Sequence, residues 1–160
     1  MRVLGLDPGY GRIGWGLVRR ERGELKAESW GLIETDPSED WPDRLVRLFD
    51  AVSLVFDECK PEVIAAEELW FGANRTTALA VAKAAGILSL AAAQRGIEYV
   101  EYKPSTVKMT VTGSGSARKP KVREMVRRLL ALKDLRVVDD VSDALAVAIC
   151  HLQHSRIPRR

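Results

Sequence analysis

The chain has 160 residues, of which 46% are hydrophobic and 29% charged, and its formal net charge at pH 7 is +3. These values are typical of one globular domain spanning 1–160, and they exclude a low-complexity chain. The N-terminal apolar run stops at Asp7 and the Ala-rich stretch 78–93 is too short to span a bilayer, so we expect neither a signal peptide nor a membrane segment. The isolated Cys59 and Cys150 predict no disulfide framework or zinc site, which is typical of the cytoplasm.

Apolar periodicity and turn residues predict five strands and five helices. In chain order these are strands 1–6, 11–18 and 25–35, a helix over 42–59, a strand over 62–67, a helix over 76–95, a strand over 97–102, and helices over 104–111, 119–132 and 140–151. The first three strands are joined by short turns, at Pro8–Gly11 and near Gly23, and predict an antiparallel meander. The later strands alternate with helices, which predicts parallel pairing with right-handed crossovers.

The sequence therefore predicts an α/β fold with a mixed five-stranded sheet and flanking helices. In such sheets, functional sites form beyond the strand ends. Residues 156–160 are rich in arginine and predict a loose basic tail.

Four acidic residues stand at predicted strand and helix ends. Asp7 follows the first strand, Glu67 ends the fourth, and Asp140 and Asp143 begin the last helix, where a spacing of three places them on one face. Clustered carboxylates repel one another unless a cation neutralises them. Hard divalent cations such as Mg²⁺ prefer oxygen ligands, and two of them can hold a phosphodiester and activate water. The pattern predicts a metal-dependent nuclease site.

Each acid also has a purely structural interpretation. Asp7 could shape the turn that follows it, and Asp140 could cap the final helix. Glu68 competes with Glu67, because successive strand residues point to opposite faces and only one can reach the cluster. Asp139 competes with Asp140, which is preferred for its helical spacing to Asp143.

A basic segment spans residues 103–128. It contains eight basic residues and one acid, a charge of +7 that leaves −4 for the rest of the chain. This asymmetry indicates a localised surface for a polyanion, with a solvated helix face as the alternative. The candidate nucleic-acid contacts are Lys108, Arg118, Lys119 and Lys121, together with Trp70, which follows the fourth strand and could stack on an unpaired base or pack in the core.

Taken in order, these motifs resemble the RuvC family of bacterial Holliday-junction resolvases. The matching segments cover nearly the whole chain: Leu4–Gly9, Ala66–Glu68, Val107–Lys108, Gly113–Lys119 and Asp140–Ala146. The resemblance implies a ribonuclease-H-like fold and a homodimer that makes paired, Mg²⁺- or Mn²⁺-dependent nicks in strands of like polarity at a four-way DNA junction. The residues that the resemblance assigns are Asp7, Glu67, Asp140 and Asp143 as catalytic ligands of two ions, Lys108 and Lys119 as DNA contacts, and Trp70 at the junction centre.

The same resemblance implies a role in homologous recombination and DNA repair, nicks with 5′-phosphate ends, and the RuvA–RuvB branch-migration complex as a partner. The helix over 76–95 is the predicted dimer interface, because its apolar residues cover more than one stripe. A helix buried wholly within the monomer is the alternative.

Three other classes of protein share part of this pattern. A YqgF-type ribonuclease-H-like nuclease acting on RNA has the same opening strand and aspartate, but Gly113–Lys119 and Asp140–Ala144 favour RuvC. An actin- or Hsp70-like ATPase needs a duplicated domain and further Gly-rich loops. A non-catalytic DNA-binding module is disfavoured because carboxylates repel phosphate.

Overall fold

The computed structural model describes residues 1–9, 11–69, 75–133 and 138–155. Its elements are, in chain order, β1 (Arg2–Pro8), β2 (Arg12–Glu21), β3 (Glu24–Glu34), α1 (Trp41–Cys59), β4 (Val63–Glu67), α2 (Arg75–Gln94), β5 (Glu98–Tyr102), α3 (Pro104–Thr112), α4 (Lys119–Leu129) and α5 (Asp139–His154). The strand order is β3-β2-β1-β4-β5. β2 is antiparallel to β1 and β3, whereas β4 is parallel to β1 and β5. The predicted mixed five-stranded sheet is confirmed.

Four predicted boundaries were wrong by two or three residues. β2 continues to Glu21, three residues past its predicted end. β1 continues through Asp7 to Pro8, which pairs with Ile13, so the turn is shorter than predicted and Asp7 lies within the strand. The basic helix α4 ends at Leu129, three residues early, because Ala131 has a positive φ of 51° that no helix accommodates. α5 extends three residues further, to His154, as its buried face continues to Leu152.

The sheet is covered on both faces. α1 and α2 lie on one face, where Leu4 and Ile64 of the sheet belong to the same buried cluster as Phe56 and Leu88 of the helices. α3, α4 and α5 lie on the other face in a second buried cluster. No helix within the described ranges is both long and apolar enough to cross a bilayer.

Helix α5 is seated directly on the central strands. A Cβ on Gly5 of β1 would lie only 1.9 Å from the carbonyl oxygen of Ala144, so no larger residue fits beneath the helix. At the other end of α5, Arg20 of β2 contacts the carbonyl oxygen of Leu152 and donates a 3.3 Å hydrogen bond to that of Ser155. These contacts fix the position of α5 along the sheet.

Cys59 in α1 and Cys150 in α5 are both buried and free, on opposite faces of the sheet.

Candidate active site

Asp7, the penultimate residue of β1, and Glu67, the last residue of β4, lie on neighbouring parallel strands and point to the same face of the sheet. The register pairs Leu6 with Ala66, so the next position sets Asp7 beside Glu67. Strand alternation points Glu67 to the same face as Ala65, which packs in the cluster beneath α5. Asp7 and Glu67 are half-buried and line a cleft of about 300 Å³.

The first turns of α5 bring Asp143 to this cleft, whereas Asp140 lines an adjoining groove with Arg12 and Glu34. Both aspartates are half-buried, and the charges of both raise the pKa of Asp7. Asp139, the competing residue, instead forms an ion pair with Arg123 of α4. The charge of Asp140 acts on Asp7, so Asp140 stays the predicted candidate of the two.

The four carboxylates are electrostatically coupled. Burial first, and then the negative charges of Asp143, Glu67 and Asp140, together raise the pKa of Asp7 to about 7. Burial and the charge of Asp143 also raise the pKa of Glu67, against an opposing effect of Lys108. Acidic groups coupled in this way destabilise one another at neutral pH, and a bound cation would offset their repulsion.

Two cationic side chains already engage the acids on α5. Lys119 donates a 2.9 Å hydrogen bond from Nζ to Oδ2 of Asp143, and this bond raises the pKa of Lys119. Arg12, at the start of β2, forms an ion pair with Oδ2 of Asp140. The side chain of Asp140 is only 18% exposed, whereas that of Arg12 is 51% exposed.

The donor set fits a hard divalent cation. The cleft offers carboxylate oxygens without histidine or cysteine, which favours Mg²⁺ or Mn²⁺ over softer metals. In the described part of the chain, no three acidic, histidine or cysteine side chains already converge on one ion position. Asp140 and Asp143 form ion pairs with Arg12 and Lys119, so a metal would compete with these two cations for the paired oxygens.

The predicted DNA contacts divide into two groups. Lys108 and Lys119 line the cleft beside the acids. Arg118 and Lys121 are exposed nearby but do not line it, and Lys121 forms a 3.2 Å ion pair with Glu124. The predicted base-stacking residue, Trp70, lies outside the described residues, as does the predicted tail 156–160.

Arg12 was missed by the sequence analysis. Its one sequence signal is its place at the start of the strand that pairs with the strand carrying Asp7. That position places a side chain at the same end of the sheet as Asp7. It does not identify Asp140 as the partner, because this contact depends on how α5 packs.

Comparison with known proteins identifies the family. Residues 3–151 match the family model described as "Crossover junction endodeoxyribonuclease RuvC". The chain is 48% identical over 157 residues to the protein of that name from Thermomicrobium roseum, covering 98% of this chain and 95% of the relative. It is 44% identical over 151 residues to the one from Chloroflexus aggregans, covering 94% of this chain and 92% of the relative.

Solved structures agree with the sequence matches. Thermus thermophilus RuvC in complex with a Holliday junction substrate superposes with a TM-score of 0.89 at 33% identity, over 95% of this chain and 93% of that one. The yeast mitochondrial Holliday junction resolvase Ydc2, at 15% identity and a TM-score of 0.68, shares the fold. These findings do not favour the YqgF interpretation, and they confirm the predicted ribonuclease-H-like fold. The chain belongs to the RuvC family of crossover junction endodeoxyribonucleases.

Proposed function

We propose that this chain resolves four-way DNA junctions by paired, metal-dependent nicks, with Asp7, Glu67, Asp140 and Asp143 as its metal-binding catalytic residues. Membership of the RuvC family supports the reaction. The T. thermophilus relative bound to its Holliday junction substrate supports the choice of DNA. The observation that carries the site assignment is the pKa of Asp7, raised by burial and by the three other acids, which come from β4 and α5.

The sheet and helix α5 would each position two of the four metal-binding carboxylates. Asp7 and Glu67 are fixed by the sheet, and Asp140 and Asp143 by the first turns of α5, so the four carboxylates can hold two ions. Two Mg²⁺ or Mn²⁺ ions, when bound, supply a lowered pKa for the attacking water and stabilise charge on the leaving 3′-oxygen. No side-chain nucleophile is required, and the products carry 5′-phosphate and 3′-hydroxyl ends that a ligase can rejoin.

Phosphate binding is assigned to the cations around the cleft. Lys108 from α3 and Lys119 from α4 line the same cleft as Asp7 and Glu67, which suits contact with the phosphates that flank the scissile bond. The exposed Arg118 and Lys121 extend the positive surface along α4 towards a DNA arm, and Trp70 stacks on a base at the junction centre.

The active unit is a two-fold homodimer joined through α2. Ala84, Leu88 and Ala91 pack this helix against its own sheet, whereas Leu79 and Leu90 are 63% and 49% exposed. A helix with apolar residues on two faces can pack in its own domain and against a partner. A two-fold dimer sets two acid clusters at a fixed separation, matching the two symmetry-related strands of a junction.

The cellular setting follows from the family resemblance alone. The protein acts in the cytoplasm during homologous recombination and DNA repair. The RuvA–RuvB branch-migration complex supplies the junction on which it works.

A nicking assay with labelled DNA tests this function. Four-way junctions, linear duplex of the same sequence and structured RNA are incubated with Mg²⁺ or with EDTA. We expect symmetric nicks in the junction with Mg²⁺, and neither cutting of linear duplex nor activity in EDTA. Preferential cutting of RNA would favour the YqgF interpretation, and junction cutting in EDTA would contradict the role of the acids.

A further inference from the structure

Arg12 is paired with Asp140, one of the four acids that the proposed function makes metal ligands. Its guanidinium forms an ion pair with Oδ2 of Asp140. Carboxylate oxygens of this kind are also the ligands of a divalent cation. Arginine stays charged at every physiological pH, so it cannot leave this contact by losing a proton. A metal that binds Oδ2 of Asp140 competes with the guanidinium for that oxygen, and a second acceptor within reach makes the displacement easier.

The neighbouring strand β3 carries a second acceptor, Glu34, directly opposite Arg12. The register of β2 and β3 pairs Arg12 with Glu34. Residues directly opposite in an antiparallel pair have Cβ atoms within roughly 5.5 Å and point to the same face. Glu34 is exposed, and no ion pair among the described residues engages it.

One open groove contains all three side chains. Arg12, Glu34 and Asp140 line it together with Thr35 and Pro37, and its volume is about 580 Å³. The guanidinium therefore has room to swing between the two carboxylates without displacing the core. The groove adjoins the acid cluster through Asp140, whose charge also acts on Asp7.

We propose that Arg12 is a positioning residue that holds the Asp140 carboxylate in the metal-free protein and transfers to Glu34 when a divalent cation binds. This inference rests on the proposed function, because it requires Asp140 to be a metal ligand. Arg12 then opposes metal binding, and Glu34 favours it by accepting the displaced guanidinium. Arg12 thereby lowers the affinity of the acid cluster for a divalent cation until the cation displaces it from Asp140.

Titration calorimetry with Mn²⁺ on the DNA-free protein tests the exchange. Arg12→Gln is expected to bind Mn²⁺ about two- to fivefold more tightly than the wild type, the range set by losing a partly exposed ion pair. Glu34→Gln is expected to bind it more weakly, and the double variant is expected to match Arg12→Gln. Arg19→Gln is the matched control, because Arg19 lies on the same strand but pairs with Glu21 and Glu28.

NMR of the arginine side chains measures the exchange directly, because a purely structural role of Arg12 predicts no change in its Nε–H chemical shift when the metal binds. The Nε–H resonance absent in Arg12→Gln is expected to shift on adding Mg²⁺ to the wild type, and to shift less in Glu34→Gln. Urea unfolding in EDTA verifies that each variant is folded.

Two results separate failure of the exchange from failure of the proposed function. If Asp140→Asn weakens Mn²⁺ binding but Arg12→Gln leaves it unchanged or weaker, the exchange is wrong and the metal site stands. If Asp140→Asn leaves Mn²⁺ binding unchanged, Asp140 is not a ligand, and the exchange is overturned together with that assignment.

Discussion

Gly14 of β2 and Asp140 of α5 are in direct backbone contact: a Cβ added to Gly14 would lie 2.1 Å from the carbonyl oxygen of Asp140. The first turn of α5 therefore rests on the backbone of a neighbouring strand. The position of two proposed metal ligands, Asp140 and Asp143, depends on the absence of one side chain.

Gly14→Ala should accordingly displace the first turn of α5. We expect a loss of roughly 1–3 kcal/mol in the free energy of unfolding, the usual cost of overpacking, and a larger proportional loss of nicking. Urea unfolding and the junction assay measure the two effects. Gly11→Ala is the control, because the nearest atom to its Cβ would be an Arg44 nitrogen at 3.9 Å. Equal behaviour of the two variants would contradict this account of how α5 is seated.

Stability without metal should depend on the protonation of Asp7. Its pKa is raised from 3.8 to about 7 in the folded protein, so the folded state binds this proton more tightly than the unfolded chain does. Stability from this group is therefore present below about pH 4 and is lost as the pH rises to about 7, by up to roughly 4 kcal/mol. Asp7→Asn should remove this loss and be more stable than the wild type at pH 8 in EDTA. Urea unfolding at pH 5 and pH 8 measures it, and equal stabilities at pH 8 would show that the buried charge costs nothing.

Removing a carboxylate from the strand ends should separate cutting from binding. Asp7→Asn and Glu67→Gln are each expected to lower nicking by about 100-fold or more, since each loses a proposed metal ligand. Junction binding in Ca²⁺ should be largely kept, because the basic residues hold the phosphates. Glu58→Gln, at an exposed acid on α1 that does not line the cleft, is the control and should cut normally. Near-normal nicking by either of the first two variants would overturn the site assignment.

Lys119→Ala should weaken junction binding and flatten its salt dependence. One lost phosphate contact lowers the log–log slope of affinity against salt concentration by roughly one unit. Asp143→Asn should leave that slope unchanged, because it removes an acid and keeps the lysine. Lys26→Ala, an exposed lysine on β3, is the control. An unchanged affinity of Lys119→Ala across the titration would mean that this part of α4 is only a solvated surface.

Leu90→Glu should convert the protein to a monomer. The side chain is 49% exposed on the free face of α2, so the substitution should spare the fold but bury a charge in the proposed interface. Sedimentation equilibrium at micromolar concentration measures the stoichiometry. Met109→Glu, at a residue 53% exposed on α3, should leave it unchanged. A wild-type protein that is monomeric both free and on the junction, yet still makes paired nicks, would refute the dimer.

Sequence periodicity predicted the sheet and the edge where the acids lie, because Asp7 and Glu67 directly follow short apolar runs that are typical of buried strands. The spacing of Asp140 and Asp143 placed them on one helix face for the same local reason. The pairing of Arg12 with Asp140, and of Lys119 with Asp143, could not be predicted, because each depends on how closely α4 and α5 approach the sheet. The end of α4 was missed since the positive φ of Ala131 leaves no mark in the residue type.

Strand β2 carries none of the proposed metal ligands, yet it contacts both ends of α5. Gly14 packs beneath the first turn, and Arg20 binds the carbonyl oxygens of Leu152 and Ser155. A helix that is held at both ends and buried in the middle should unfold only when the whole domain unfolds. Slow amide exchange should therefore extend over β2 and α5 as one cooperative unit. We therefore expect Asp140 and Asp143 to keep their position relative to the sheet when force acts on the surface helices.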